Sequence, residues 1–203
     1  MEQLTTNRVH RRIYFLWAAV LVLLDQCTKL LVKGFDAFGI SHTGMELGDS
    51  IPVVGDVLRL TFVENPGMAF GISFGAGKIL LTLATIGIAL FLGWYLARLG
   101  SAPTLASVAI MLVFSGAVGN LIDRTFYGVM YGESPLFYGK VVDFIQVDIP
   151  DVTWFGEIYT HWPVFNVADS CVTVGVVLMM FISTQLPSPT ELRTRSGEQR
   201  GGV

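Results

Sequence analysis

The sequence predicts an α-helical integral membrane protein: four transmembrane helices with a small extracytoplasmic β-sheet. Three observations carry this expectation. Of the 203 residues, 52% are hydrophobic and 14% charged, where soluble domains average about 25% charged. Four apolar segments each reach the length of about 20 helical residues that a bilayer core of about 30 Å requires. One stretch, "VLRLTFVEN", alternates in polarity with the period of a half-buried strand.

The first segment, about 13–33, is uncharged from Ile13 to Leu24 and then carries Asp25, Lys29 and Lys33. A cleaved leader would need small residues before Cys27. Asp25 and Gln26 stand there instead, and the chain continues as "TKLLVK", so the segment reads as a retained helix. The first connection, 34–78, holds the strand pattern: Leu58, Leu60 and Phe62 alternate with Arg59 and Thr61. "ENPGMAFGISFGAGK" follows, with the glycines and proline of turns and bulges. The second span, about 79–99, is charge-free up to Arg98, and the third, about 102–122, is charge-free throughout. A second connection, 123–163, leads to the fourth span, about 164–186, whose only charge is Asp169. Residues 1–186 thus form one membrane domain. The tail 187–203, "PSPTELRTRSGEQRGGV", has the polar composition of a disordered segment.

Basic residues set the orientation. Arg8, Arg11 and Arg12 precede the first span, Arg98 follows the second, and Arg193, Arg195 and Arg200 lie in the tail. The two long connections are instead rich in acids. Both termini are expected in the cytoplasm, and both connections, with the sheet, on the opposite face. The net charge of −3 and the lack of a basic stripe point away from nucleic acid. Cys27 and Cys171 sit in apolar segments without a CxxC, and His10, His42 and His161 are isolated. Neither a disulfide framework, a metal site nor a cofactor is expected.

Ionisable groups at membrane depth are costly and are functional candidates. Here they are Asp25, Lys29, Asp123, Arg124, Asp143 and Asp169, all at or beside the same ends of spans one, three and four. Asp143 and Asp169 are 26 residues apart. If the intervening chain loops out and returns, the two carboxylates can share one proton, the ionised member activating water and the protonated member polarising a carbonyl. The other reading is two solvated interfacial acids, and spacing leaves both open. Asn120 and Arg124 share a helix face, either to hold substrate carbonyls or as an ordinary helix end. Asp25 and Lys29 are spaced as an intrahelical ion pair with Lys29 snorkelling outward. Asn65 adjoins the Pro66–Gly67 turn. "DIPDVTWFGEIYTHW", Asp148 to Trp162, carries Trp154, Phe155, Tyr159 and Trp162 around Gly156, the makings of an interfacial anchor or of a mobile lid.

Taken in order, "DQCTK", "NPGMAF", "GAVGNLIDR", "VVDF" and "FNVADS" resemble the motifs of the bacterial lipoprotein signal peptidases, signal peptidase II. The resemblance runs from Asp25 to Asp169. It implies four transmembrane helices with cytoplasmic termini in the bacterial inner membrane, a β-cradle on the outer face, and aspartic peptidase chemistry. The family's "VVDF" and "FNxAD" aspartates fall on Asp143 and Asp169, which makes them the catalytic pair. Asp25, Asn65, Asn120, Asp123, Arg124 and Asn166 would line or brace the site. The implied substrates are diacylglyceryl-modified prolipoproteins, cut before the lipidated cysteine. Membrane lipids are implied surroundings, and globomycin-type cyclic peptides implied inhibitors. The links from Arg124 to Val141 and between the two aspartates are longer than the family pattern. A function of another class, a small proton-coupled carrier, would use the same acids as a relay, but a relay should continue toward the far face.

The charge asymmetry generates a topological test. In a variant lacking Cys27 and Cys171, cysteine placed at Gly132 should be labelled by a membrane-impermeant reagent in intact cells, and cysteine at Gly100 should not. The reverse pattern would invert the predicted orientation.

Overall fold

The computed structural model describes residues 2–37, 39–67, 77–99, 104–154, 157–188 and 190–192. Helix α1 spans Glu2–Lys33. Two short strands, β1 (Phe35–Ala37) and β2 (Ile40–His42), form a hairpin, and β3 (Ser50–Val54) and β4 (Leu58–Asn65) begin the main sheet. Helices α2 (Gly77–Arg98) and α3 (Thr104–Ile122) follow. The axis of α3 continues through a π-helical turn, Asp123–Tyr127, into the short helix α4 (Gly128–Met130). Strands β5 (Val141–Trp154) and β6 (Glu157–His161) complete a four-stranded antiparallel sheet in the order β3-β4-β5-β6. The last helix is α5 (Val167–Phe181), followed by a 3₁₀ turn, Ser183–Gln185.

Three helical stretches, 12–33, 77–98 and 105–130, are long and apolar enough to cross a membrane. Their outward residues are apolar: Leu23, Leu80 and Leu90 are all well exposed, Leu90 by 70%. This is the arrangement of helices whose solvent is hydrocarbon. The fourth apolar helix is shorter than the expected span 164–186. It has 15 residues, about 22 Å at 1.5 Å per residue. It starts late because Asn166 caps it in extended conformation. It ends early because Ile182, Ser183 and Thr184 are weak helix formers and Pro187 follows.

The third helix exceeds its predicted end. Connection 123–163 does not begin as a loop; helix continues to Met130. The tail also departs from expectation over its first residues. Leu192 is 3% exposed in the core formed by Ala18, Leu92, Tyr95, Leu96 and Ile110, and the Tyr95 hydroxyl donates to the Pro187 carbonyl at 2.6 Å. Polar composition hid one buried leucine and one carbonyl acceptor. Residues 193–203 lie outside the described residues. So do Met68–Phe70 of "NPGMAF", Gly100, Phe155 and Gly156, and the side chains of Trp154 and Tyr159 in the predicted lid.

The alternating strand is β4, with Phe62 buried beneath the sheet. Phe62, Val142 and Phe144 pack on Val32 of α1 and on Tyr127 of the π turn, forming a second core where the sheet meets the helices. Lys33 and Lys140 both bond Glu64, and Lys33 also reaches Glu133 at 2.6 Å, so four charges pin the end of β4 to the start of β5. α3 and α5 approach closely because both present glycine. A Cβ on Gly116 would stand 2.3 Å from the Ala168 carbonyl oxygen, and one on Gly175 2.8 Å from that of Ala109. This is small-residue packing of membrane helices.

Gly116→Ala should therefore lower the melting temperature in detergent, because a clash against backbone costs about 1–3 kcal/mol. Gly87→Ala gains the same helix propensity where nothing lies within 4 Å, and should leave the melting temperature unchanged or slightly raised, by up to about 1 kcal/mol of stability. Equal melting temperatures for the two variants would contradict the close approach of α3 and α5.

Candidate active site

Strand register brings Asp143 toward α5. On one edge, β5 pairs with β4, setting Asp143 opposite Val63 and Val141 opposite Asn65. On the other edge the chain returning from β6 pairs with β5 at Phe165: the Ile145 N–H donates to the Phe165 carbonyl at 2.7 Å, and the Phe165 N–H donates back at 3.0 Å. The next residue, Asn166, is thereby laid against Asp143, and its Nδ2 donates to Asp143 Oδ1 at 2.7 Å. The intervening segment does loop out and return, as the β5–β6 hairpin.

Asn166 also starts α5. Its side chain accepts from the Asp169 N–H at 2.9 Å while its own N–H donates to Asp169 Oδ2 at 3.3 Å, a reciprocal capping box. The motif "FNVAD" thus encodes a helix start that places Asp169 one turn from the residue gripping Asp143. Asn120 of α3 holds Asp169 from the other side, Nδ2 donating to Oδ1 at 2.7 Å. Asn65, at the end of β4, accepts from the Gly67 N–H at 3.0 Å and bonds Asp143.

Asp143 is 3% exposed. Burial, and next the charge of Asp169, push its carboxyl up to about 7. The bonds from Asn65 and Asn166 and the charge of Lys29 oppose the rise. Arg124, in the π turn, faces Asp123, Asp169 and Asp143 electrostatically. Its terminal nitrogen lies 3.5 Å from the Asn120 carbonyl, and its Nε is buried with no hydrogen-bond partner among the described residues.

Beneath this pair lies a second cluster. Lys29 has no exposure. Its ammonium stands 2.8 Å from Asp25 Oδ2, 2.8 Å from Asp123 Oδ2 and 3.0 Å from Asn120 Oδ1. The predicted Asp25–Lys29 ion pair is present, but the outward snorkelling of Lys29 is not. A partner from another helix, Asp123, draws the ammonium inward. Asp25 further accepts from the Ala168 N–H at 2.8 Å, and Asp123 from the Val142 N–H at 3.2 Å. Gln26 donates to Asp123 at 2.9 Å and accepts from the Tyr127 hydroxyl at 3.0 Å. Gln26 and Tyr127 are residues that sequence reading left out of the site, and Lys29 was named only as the partner of Asp25 turned outward. The helical offset of Lys29 and Gln26 from Asp25 was visible; the depth of the facing π turn was not.

All eight sequence-predicted site residues fall in or against this one network. For Asn120 the sequence left open a holder of substrate carbonyls or an ordinary helix end, and the resemblance implied that it lines or braces the site. Its oxygen is engaged by Lys29 and Asn166 and its amide by Asp169, so the geometry suits bracing. Groups of His, Cys, Asp and Glu fit to hold a metal do not occur among the described residues. Cys27 and Cys171 are both free thiols.

Comparison with known proteins places this geometry. Residues 17–185 match the family described as signal peptidase (SPase) II. The lipoprotein signal peptidase of Pelodictyon phaeoclathratiforme is 34% identical, over 88% of this chain and 96% of its own. That of Chlorobaculum tepidum is 34% identical, over 86% of this chain and 95% of its own. A solved bacterial membrane enzyme, obtained by the in meso method, is 34% identical with a TM-score of 0.61, covering 83% of this chain and 90% of its own. With a match over most of its length, on a bundle of apolar helices that carries a small sheet and a buried carboxylate network, this chain belongs to the signal peptidase II family and is a membrane protease.

Proposed function

We propose that the protein is an aspartic endopeptidase that removes the signal peptide from diacylglyceryl-modified prolipoproteins, cutting before the lipidated cysteine. The observation that carries this reading is the junction of Asp143 and Asp169 from distant segments in one hydrogen-bonded network, the buried member pushed up to about 7. Family membership supplies the substrate class. The relatives compared are lipoprotein signal peptidases.

In the proposed reaction the pair holds one proton. The ionised carboxylate takes a proton from water as the water oxygen attacks the scissile carbonyl carbon. The protonated carboxyl gives its proton to the carbonyl oxygen. Collapse of the tetrahedral intermediate breaks the C–N bond: one carboxyl gives its proton to the leaving nitrogen while the other carboxylate takes one from the diol hydroxyl, so the pair again holds one proton. The titration belongs to the pair, not to either residue. Arg124, with its buried and unpartnered Nε, is suited to orient a substrate carbonyl. Asp25, Asn120, Asp123 and Asn166 brace the carboxylates, and Asn65 holds Asp143 from β4.

The depth of the site follows from the substrate. The signal peptide is a membrane helix and the diacylglyceryl group is buried, so the bond to be cut waits at the membrane surface. We place α5 as the fourth span, its capped start at the outer face and the sheet beside it, with both termini cytoplasmic in the bacterial inner membrane. Globomycin-type cyclic peptides would compete for this site, and membrane lipids surround it. The carrier alternative has no observation in its favour, because the acids gather at one end of the bundle.

The experiment is cleavage by purified protein in detergent of a diacylglyceryl prolipoprotein and its unlipidated form. The lipidated substrate alone should be cut. Asp143→Asn and Asp169→Asn should each reduce turnover by about 10²–10⁴ while retaining a cooperative melt. Because activity needs the shared proton, and burial raises rather than lowers the Asp143 carboxyl, turnover should fall as pH rises through about 7. Near-normal turnover in either variant would overturn the dyad.

A further inference from the structure

We infer that Lys29 is a positioning residue that orients the side-chain amide of Asn120, so that the proposed catalytic carboxylate of Asp169 meets an N–H donor and not a carbonyl. The inference rests on the dyad reading above. The two ends of an asparagine amide have nearly the same shape, and which end faces a carboxylate is decided by its other partners. An ammonium has three donors and no acceptor. Those of Lys29 go to Asp25, to Asp123 and, at 3.0 Å, to Asn120 Oδ1.

The third bond fixes Asn120. With Oδ1 toward the ammonium, Nδ2 faces Asp169 Oδ1 at 2.7 Å. Turned over, the amide would oppose N–H to ammonium and carbonyl to carboxylate. Asn166 Nδ2 also meets Asn120 Oδ1 at 3.1 Å, but the second amide is set by backbone, its Nδ2 donating to the Val142 carbonyl at 3.2 Å. Asn166 Nδ2 then reaches Asp143 Oδ1 at 2.7 Å, and Asn166 Oδ1 accepts from the Asp169 N–H at 2.9 Å. One ammonium thus reaches Asp169 through one amide. A buried ammonium needs a third acceptor in any case; that this acceptor is Asn120 Oδ1 is what ties Lys29 to the proposed dyad.

Lys29→Met alone leaves two buried acids without their cation and endangers folding. Lys29→Met with Asp25→Asn removes one positive and one negative charge together, so the cluster keeps its net charge and loses the orienting donor. Both variants are purified in detergent beside the wild type and assayed on a diacylglyceryl prolipoprotein for kcat, KM, pH profile and melting temperature. The double variant, in which Asp123 alone lacks its cation, should still melt cooperatively, with KM little changed and kcat lowered about 10–100-fold, the scale of a reacting group held out of place. Its alkaline limb should move to higher pH. Asp143 faces Asp169 from α5, Arg124 from the π turn and Lys29 from α1, and with the Lys29 charge gone and the Asn120 donor misdirected the pair would hold the shared proton more firmly. A folded double variant with wild-type kcat and pH profile would overturn the inference. Loss of folding in both variants would also overturn it, by making Lys29 a structural residue only. A wild type that fails to cleave the lipidated substrate is a separate result, the failure of the peptidase reading itself.

Discussion

An ammonium group with no solvent exposure sits where one end of the helical bundle meets the sheet, and the surrounding structure is arranged to satisfy its donors. Taking one ion out of water costs several kcal/mol, and removing one partner of a buried pair typically costs about 3–5 kcal/mol. Lys29 is accordingly bound by two carboxylates and an amide oxygen. Two acids against one cation leave an excess negative charge. It is met by N–H groups: Ala168 on Asp25, Val142 and Gln26 on Asp123. Those donors come from α5, β5 and α1, so satisfying one lysine fixes these elements relative to the π turn and α3. The positive end of the α5 dipole adds to the effect, since Asp25 accepts from that helix's first turn.

The same economy governs the upper layer. Asn166 is at once the residue after a β-bridge, the cap of α5 and the donor to Asp143. Helix initiation and site assembly are one event in this chain. Asp169 cannot rotate away from the site without losing its share of the capping box, and Asp143 cannot leave without breaking the pairing of β5 with both β4 and Phe165. The two acids are held unequally. Asp143 is buried in the sheet, whereas Asp169 is only partly covered on a helix end. In the proposed mechanism that inequality makes Asp143 the member whose surroundings favour the proton.

Much of this was legible in the sequence, and the parts that were not have physical causes. Membrane-length apolar runs revealed α1, α2 and α3, because a bilayer imposes length and composition on a helix. Period-2 alternation revealed β4, although only Phe62 is fully buried there and its neighbours on both faces are half-buried. The polar residues of the site stood out because hydrocarbon tolerates so few. β5 carried no comparable signal. Val141 to Phe144 are buried on both faces, so nothing alternates, and their role depends on register with two distant segments. Lys29 was misread because a helix face records the nearest neighbour, Asp25, four residues away, and is silent on a carboxylate from another helix. The start of the tail, among the described residues, departs from expectation for a similar reason. Leu192 is a single apolar residue in a polar run, and only the groove it fills makes it core.

The depth of Asp123 is the feature least available to sequence, and it turns on the link from Thr125 to Lys140. An ordinary α-helix through this region would carry Asp123 and Arg124 past the network at a fixed pitch. The π turn widens the helix there and frees carbonyls of the turn from their usual intrahelical partners. The link supplies replacements: the Phe137 N–H donates to the Thr125 carbonyl at 3.2 Å and the Gly139 N–H to that of Arg124 at 2.9 Å. Phe137 does so with φ of 72°, and Gly139 fits only because a Cβ would lie 2.2 Å from the Asp123 carbonyl oxygen. A segment that looked like excess loop therefore stabilises the one irregular helical turn in which Asp123 meets Lys29 and Arg124 faces both proposed catalytic acids. The same link that returns to the backbone of the turn also delivers Val141 to the sheet, opposite Asn65.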